Sequence, residues 1–160
     1  VTATRPDFVE YYTRIKKKFD IKDNFITLEF TESFAYENYE YLAGIVKDLK
    51  AAGFLCSLDD FGTGYSSFSV LKELEMDEIK LDKVFLERSS HPDRDEMLLQ
   101  SVIEMIKKIG AKITQEGVEQ KTEFDKLISY GCDVVQGFYF ARPMKYVDYR
   151  KFVEDNFTKH

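Results

Sequence analysis

Apolar positions along the chain keep two spacings, and the spacing switches repeatedly between them. Phe8, Val9, Tyr12, Ile15 and Phe19 recur at helical intervals after a Pro6-Asp7 start. The opposite face carries Arg14, Lys16, Lys17 and Lys18, which reads as a solvated basic face. Asp23-Asn24 is a turn, and Phe25 to Phe30 follows as a strand with Glu29 near its carboxyl end. Ser33 can start a helix that runs from about Asn38 through Tyr41, Leu42, Ile45, Val46 and Leu49 to a stop at Gly53. Phe54 to Leu58 reads as a buried strand. A short helix then uses Phe68, Leu71 and Leu74, and residues 77–82 form a strand with Lys80 in its second half. Met97, Leu98, Val102, Met105, Ile106 and Ile109 predict a longer helix ending at Gly110. Residues 111–116 form a strand, and a helix through Phe124, Leu127 and Ile128 ends at Gly131. Cys132 to Gln136 is a further strand. Gly137 to Pro143 is a loop, and a last helix carries Val147, Tyr149, Phe152 and Val153.

Strand and helix thus alternate about five times, which predicts a parallel sheet covered by helices. The 160 residues suffice for one domain with a sizeable core, and 44% hydrophobic content fits a globular chain. A net charge of -6 argues against a broad electrostatic footprint for DNA or RNA. No apolar run is long enough to span a bilayer. Cys56 and Cys132 sit in apolar runs and read as buried free thiols of a reducing compartment. A cytoplasmic location is the expectation, either free or within a larger membrane-attached signalling protein. His91 and His160 read as surface residues.

Candidate chemistry gathers at one phase of this pattern. Glu29, Asp59, Asp60, Lys80, Glu116 and Gln136 all fall at or near the carboxyl end of a strand. Both β/α barrels and open doubly wound sheets build their sites at that edge. Adjacent carboxylates such as Asp59 and Asp60 raise each other's pKa unless a cation neutralises them. Hard divalent cations suit such oxygen ligands. Gly62-Thr63-Gly64 follows as a pliable turn, and the whole stretch from Leu58 to Ser67 is the chain's organising segment.

At these residues the sequence resembles the EAL domain, the family of cyclic di-GMP phosphodiesterases. Leu58 to Ser67 (LDDFGTGYSS), Leu28 to Ser33 (LEFTES), Ile79 to Asp82 (IKLD), Glu116 to Glu119 (EGVE) and Gln136 to Phe138 (QGF) resemble five family segments in order. The resemblance implies a modified TIM barrel that hydrolyses cyclic di-GMP to the linear dinucleotide pGpG with Mg²⁺ or Mn²⁺, two ions in the complete domain. It implies Glu29, Asp59, Asp60 and Glu116 as metal ligands. Lys80 would contact phosphate or the metal's water, and Glu116 and Asp60 would join Lys80 in the catalytic set. Gln136, Phe138 and Thr63 would bind substrate. Glu32 would steady the loop that contains Gly62 and Gly64, a loop that in the family also links the metal site to a dimer interface.

Several features depart from the family. The Glu-Ala-Leu signature is absent, and no asparagine stands in the first residues where the family places a second ligand. Gln115 stands where a small residue commonly precedes EGVE, and Gln120 where Thr commonly follows. Five strands cannot close an eight-strand barrel, so the chain reads as the carboxyl-terminal two-thirds of an EAL domain, with about five of eight βα units. It is a piece of an intact enzyme, a shortened relative, or a form that pairs with a second copy or another partner to complete its barrel. Two functions follow. One is a metal-dependent phosphodiesterase, of low activity in this chain. The alternative is a degenerate module that binds cyclic di-GMP or a protein without hydrolysis.

Overall fold

The computed structural model describes residues 5–64 and 68–157. Tyr65, Ser66 and Ser67 of the organising segment, and His160, lie outside the described residues. Five parallel strands form one sheet in chain order: β1 (Thr27–Thr31), β2 (Leu55–Phe61), β3 (Glu78–Leu81), β4 (Lys112–Gln115) and β5 (Val134–Val135). A doubly wound sheet reverses its strand order at some point; this one does not, so it has the order of a barrel wall. Between strands run α2 (Glu32–Glu37), α3 (Tyr39–Ala51), α4 (Phe68–Glu73), α5 (Pro92–Ile109) and α6 (Lys121–Tyr130), with α1 (Phe8–Lys18) before and α7 (Tyr146–Phe157) after. Right-handed crossovers that always advance in one direction put their helices on one face of the sheet.

That face is the core. Phe30, Cys56, Leu58, Ile79, Leu81 and Ile113 point into it and meet Leu42, Leu49, Leu99, Ile103, Ile106 and Leu127 from the helices. Side chains alternate across a strand, so the other face receives Glu29, Ser57, Asp59, Lys80 and Thr114. It is a polar wall.

One connection is built twice. Asp77 Oδ2 accepts the backbone N–H of Cys56 at 2.9 Å, and Asp133 Oδ2 accepts that of Ile113 at 2.9 Å. Lys50 Nζ donates to the carbonyl of Glu75 at 2.9 Å, and Lys107 Nζ to that of Gly131 at 2.7 Å. Counting three residues on from each anchor places Asp59 and Glu116 at equivalent strand ends, and Lys80 and Gln136 likewise. The β2–β3 and β4–β5 units are two versions of one design.

The elements differ from the sequence reading in four ways, each with a cause. Lys16 is not on a solvated face. Its ammonium is buried against Asp23 and the carbonyls of Ala52 (2.7 Å) and Gly53 (3.2 Å), so three acceptors replace water. The helix foreseen from about Asn38 is α3, but Ser33 does not start it: Ser33 lies in the separate α2, which ends before Asn38, whose side-chain amide bonds the carbonyl of Phe34 at 3.0 Å. In α5 the buried stripe is Leu99, Ile103 and Ile106, while Met97, Leu98 and Ile109 are exposed. Phe68 is exposed too, and α4 buries Val70 in its place, beside the foreseen Leu74. The expected free thiols, Cys56 and Cys132, are both buried and unpaired with each other.

Candidate metal and phosphate site

Strand β2 continues through Asp59 and Asp60 to Phe61 instead of stopping before them. It does so through a register break between Leu58 and Phe61 opposite β3. At that break Asp60 is held at φ 57°, in the left-handed region that Asp tolerates better than most residues. The irregularity lets two consecutive carboxylates converge on one site, where regular pleating would send them to opposite faces.

Lys80 is the hub. Its ammonium lies 2.7 Å from Glu116 Oε1, 2.9 Å from Asp59 Oδ1 and 3.2 Å from Glu29 Oε1. The Asp59 contact is an ion pair without hydrogen-bond alignment. Four strands therefore deliver one group each. Lys80 is 9% exposed. Burial pulls its pKa down, but the contacts with the Glu116, Asp59 and Glu29 carboxylates outweigh this and hold the ammonium above its ordinary value. It stays charged. The Asp60 pKa is raised as well, by burial and then by the nearby charges of Asp59 and Asp82, which for a carboxyl favours the neutral form.

Carboxylate oxygens of Asp59, Asp60 and Glu116 all lie within 4.8 Å of one another. Counting Glu29, four acids face one ammonium, and the surplus is negative. Three convergent hard oxygen donors with uncompensated charge fit Mg²⁺ or Mn²⁺. Glu29 is half exposed and touches the group only through Lys80 among the contacts described.

The loop after Asp60 is pinned from beneath. Glu32 is fully buried, and its Oε2 accepts the backbone N–H of Gly62 at 3.1 Å. Thr63 bonds the carbonyl of Asp60 through both its N–H (3.3 Å) and its Oγ1 (3.0 Å), so its hydroxyl is turned to backbone. Gly62 sits at φ 107°, and a Cβ there would fall 2.3 Å from Phe85 Cε2. Only glycine fits both constraints.

Gln136 and Phe138 stand outside the set of ion pairs. Gln136 follows β5 with an exposed side chain, at the place equivalent to Lys80. Phe138 is half exposed, with the Arg142 guanidinium 4.6 Å above its ring. Sequence reasoning passed over Asp82 and Phe85. Asp82 Oδ1 caps the 3₁₀ turn Lys83–Leu86 through Val84 N–H at 2.8 Å, and Phe85 of that turn packs parallel to Phe61. The sequence signal for Asp82 was its place at the end of the Ile79–Asp82 segment that also carries Lys80. A cavity of about 840 Å³ opens at the opposite, amino-terminal edge of the sheet, lined by Leu74, Met76, Ile109 and Lys112 among others. None of the clustered carboxylates borders it, so its size does not mark the site; in barrels that end serves stability.

Comparison with known proteins decides the family. The EAL domain matches residues 2–143. The chain belongs to the EAL-domain family. The probable cyclic di-GMP phosphodiesterase PdeG of Escherichia coli is 34% identical over 148 residues, which is 92% of this chain and 29% of PdeG. The crystal structure of the EAL domain of Mycobacterium smegmatis DcpA superposes with a TM-score of 0.86 at 29% identity, covering 96% of this chain and 69% of that one. Klebsiella pneumoniae BlrP1, in a manganese and cyclic di-GMP complex, matches with a TM-score of 0.78 at 30% identity, covering 88% of this chain and 36% of that one. The chain thus spans less than a third of PdeG. The EAL fold accounts for the consecutive strand order and for the placement of the carboxylates at the carboxyl rim. No helix among the described residues is long and apolar enough to cross a membrane.

Proposed function

We propose that this EAL chain carries a divalent-metal site for binding and hydrolysing a phosphodiester of cyclic di-GMP. The observation that supports it most is the approach of Asp59, Asp60 and Glu116 to within 4.8 Å beside a charged, buried Lys80. Asp59, Asp60 and Glu116 would hold Mg²⁺ or Mn²⁺, with Glu29 at the margin. A bound divalent ion lowers the pKa of water and offsets charge on the phosphodiester. The chain's own groups do the rest. Lys80 offsets negative charge where the phosphate oxygens would lie. Glu116, 2.7 Å from the Lys80 ammonium, would accept a proton. Thr63 and the glycines beside it follow directly on Asp60, and Gln136 and Phe138 follow β5 at the same strand edge, where an aromatic ring can stack on a base.

A second reading has its own support. Lys80 already forms ion pairs with three of the acids. Such a chain would bind cyclic di-GMP without turnover, or associate with a second copy to complete the wall. Calorimetry and product analysis with Mn²⁺ separate the readings. Binding with conversion to pGpG supports the enzyme. Binding without conversion supports the receptor. An absence of both Mn²⁺ and cyclic di-GMP binding overturns the metal site.

A further inference from the structure

Among the described residues, Gln115 is the one fully buried amide side chain at the carboxyl rim. It lies on the helix-facing side of β4, behind the carboxylate wall. Its Nε2 donates to the carbonyls of Glu116 (2.9 Å), Asp82 (3.1 Å) and Leu81 (3.2 Å). Two amide hydrogens serve three acceptors, so one is shared. The last backbone rung between β3 and β4 is Glu116 N–H to Leu81 O at 2.9 Å. Beyond it the Asp82 carbonyl also accepts the N–H of Phe85 at 3.2 Å, while the Glu116 carbonyl has no backbone donor among the described contacts. Gln115 adds a rung made of side chain.

The rung continues sideways. Asp82 N–H donates to the carbonyl of Phe61 at 3.1 Å. Asp82 also caps the turn that carries Phe85, which stacks on Phe61 and bounds Gly62. Phe61, Asp82, Gln115 and Glu116 thus form a transverse belt across β2, β3 and β4. The belt crosses immediately beyond Asp59–Asp60 and Lys80, and ends on the backbone of Glu116. Keeping this belt has a cost: Gln115 Oε1 is buried with no partner among the described residues, and an unmade buried hydrogen bond is unfavourable. A small residue at this position would avoid that cost but could not reach Asp82.

We propose that Gln115 is a positioning residue that sets the spacing of the Asp59–Asp60, Lys80 and Glu116 backbones, and through it the grip of this site on a divalent ion. The metal part rests on the function proposed above; the belt itself does not. Gln115→Met keeps the volume and removes both donors. Amide hydrogen exchange and Mn²⁺ titration followed by electron paramagnetic resonance are compared for the unaltered chain and this variant. Exchange of Glu116 and Asp82 amides should quicken at least about tenfold, with Ile113 unchanged, and Mn²⁺ affinity should fall about 10–100-fold, as for other groups that orient ligands. Unchanged exchange at Glu116 and Asp82 overturns the belt. Changed exchange with an unaltered Mn²⁺ affinity and spectrum overturns the positioning role. If the unaltered chain binds no Mn²⁺, the functional reading fails while the exchange data still decide the belt. Should the variant not fold, the side-chain amide protons of Gln115 in the unaltered chain decide: exchange at the rate of a free amide overturns the proposal.

Discussion

Lys80 Nζ lies 2.7 Å from Glu116 Oε1, and this is the shortest of three contacts that gather acids from three other strands around one ammonium. The arrangement makes Lys80 an internal counterion. Replacing it by methionine leaves Asp59 and Glu116, each about one-fifth exposed, facing one another without compensation. Removing one partner of a buried pair costs up to about 5 kcal/mol, but these acids keep some water, so the expected loss is about 1–3 kcal/mol. Mn²⁺ should restore more stability to Lys80→Met than it adds to the unaltered chain, because the ion takes over the missing charge. Thermal melts with and without Mn²⁺ measure this. Equal metal shifts in the two proteins would contradict the counterion role.

The glycine loop should respond to Glu32 in a graded way. Glu32→Ala removes the acceptor of Gly62 N–H and leaves a hole in a fully buried place. A loss of about 2–4 kcal/mol follows from the unpaired donor together with the cavity. Glu32→Gln retains an oxygen for Gly62 and should keep most of the stability. Denaturant midpoints for the two variants give the comparison, and similar losses in both would show that the hydrogen bond is not what holds the loop.

Gly62→Ala tests the same loop from its other side. The added Cβ meets Phe85, and φ 107° is strained for alanine. Together these predict a loss of about 1–3 kcal/mol. Phe85→Leu in the alanine background relieves the clash but not the dihedral, so it should recover only part. Full recovery would place the whole effect in the clash.

Much of this was legible in the sequence, and the failures have physical causes. Alternation of strand and helix with acids at strand ends gave the parallel sheet and gathered Glu29, Asp59, Lys80 and Glu116 correctly, because period and phase are local properties. Lys16 was misjudged because its burial depends on Asp23 and on two carbonyls near residue 53, remote in sequence. The stripe of α5 was misphased because apolar residues sit on more than one face, and only packing selects Leu99, Ile103 and Ile106. The register break at Asp60 and the belt through Gln115 are tertiary; no spacing rule contains them.

The pin between α5 and α6 makes a pH prediction away from the site. Tyr130 donates to Glu96 Oε1 at 2.5 Å, and Lys126 Nζ lies 2.7 Å from Glu96 Oε2. The bond to Glu96, with some burial, pushes the Tyr130 phenol up to about 12. Lys126 first, then Tyr130, hold the Glu96 carboxyl below its ordinary range. The Tyr130 contribution is complete below its unfolded value near 10 and is lost as pH rises through the folded value. The Glu96 contribution is complete above the ordinary carboxylate range and is lost as pH falls through its lowered value. Glu96→Gln should therefore bring Tyr130 ionisation back toward 10 in a ring-carbon magnetic resonance titration. A Tyr130 that still ionises near 12 would mean another group sets its acidity.

Asp60→Asn should separate stability from metal binding in opposite directions. Asp60 sits at φ 57°, a region asparagine enters at little cost, so the backbone is preserved. The change removes one of four acids crowded around Lys80 and ends the repulsion with Asp59, which is second to burial in raising the Asp60 pKa. Without metal the variant should be more stable at neutral pH by about 0.5–2 kcal/mol, the usual gain when a functional carboxylate is neutralised. With Mn²⁺ the order should reverse, because one of three convergent oxygen donors has lost its charge. Asp60→Ala provides the control: it loses the charge as well but strains the backbone, so its gain without metal should be smaller. If Asp60→Asn binds Mn²⁺ as tightly as the unaltered chain, Asp60 is not a ligand, and the cluster reduces to Asp59 and Glu116 held together by Lys80.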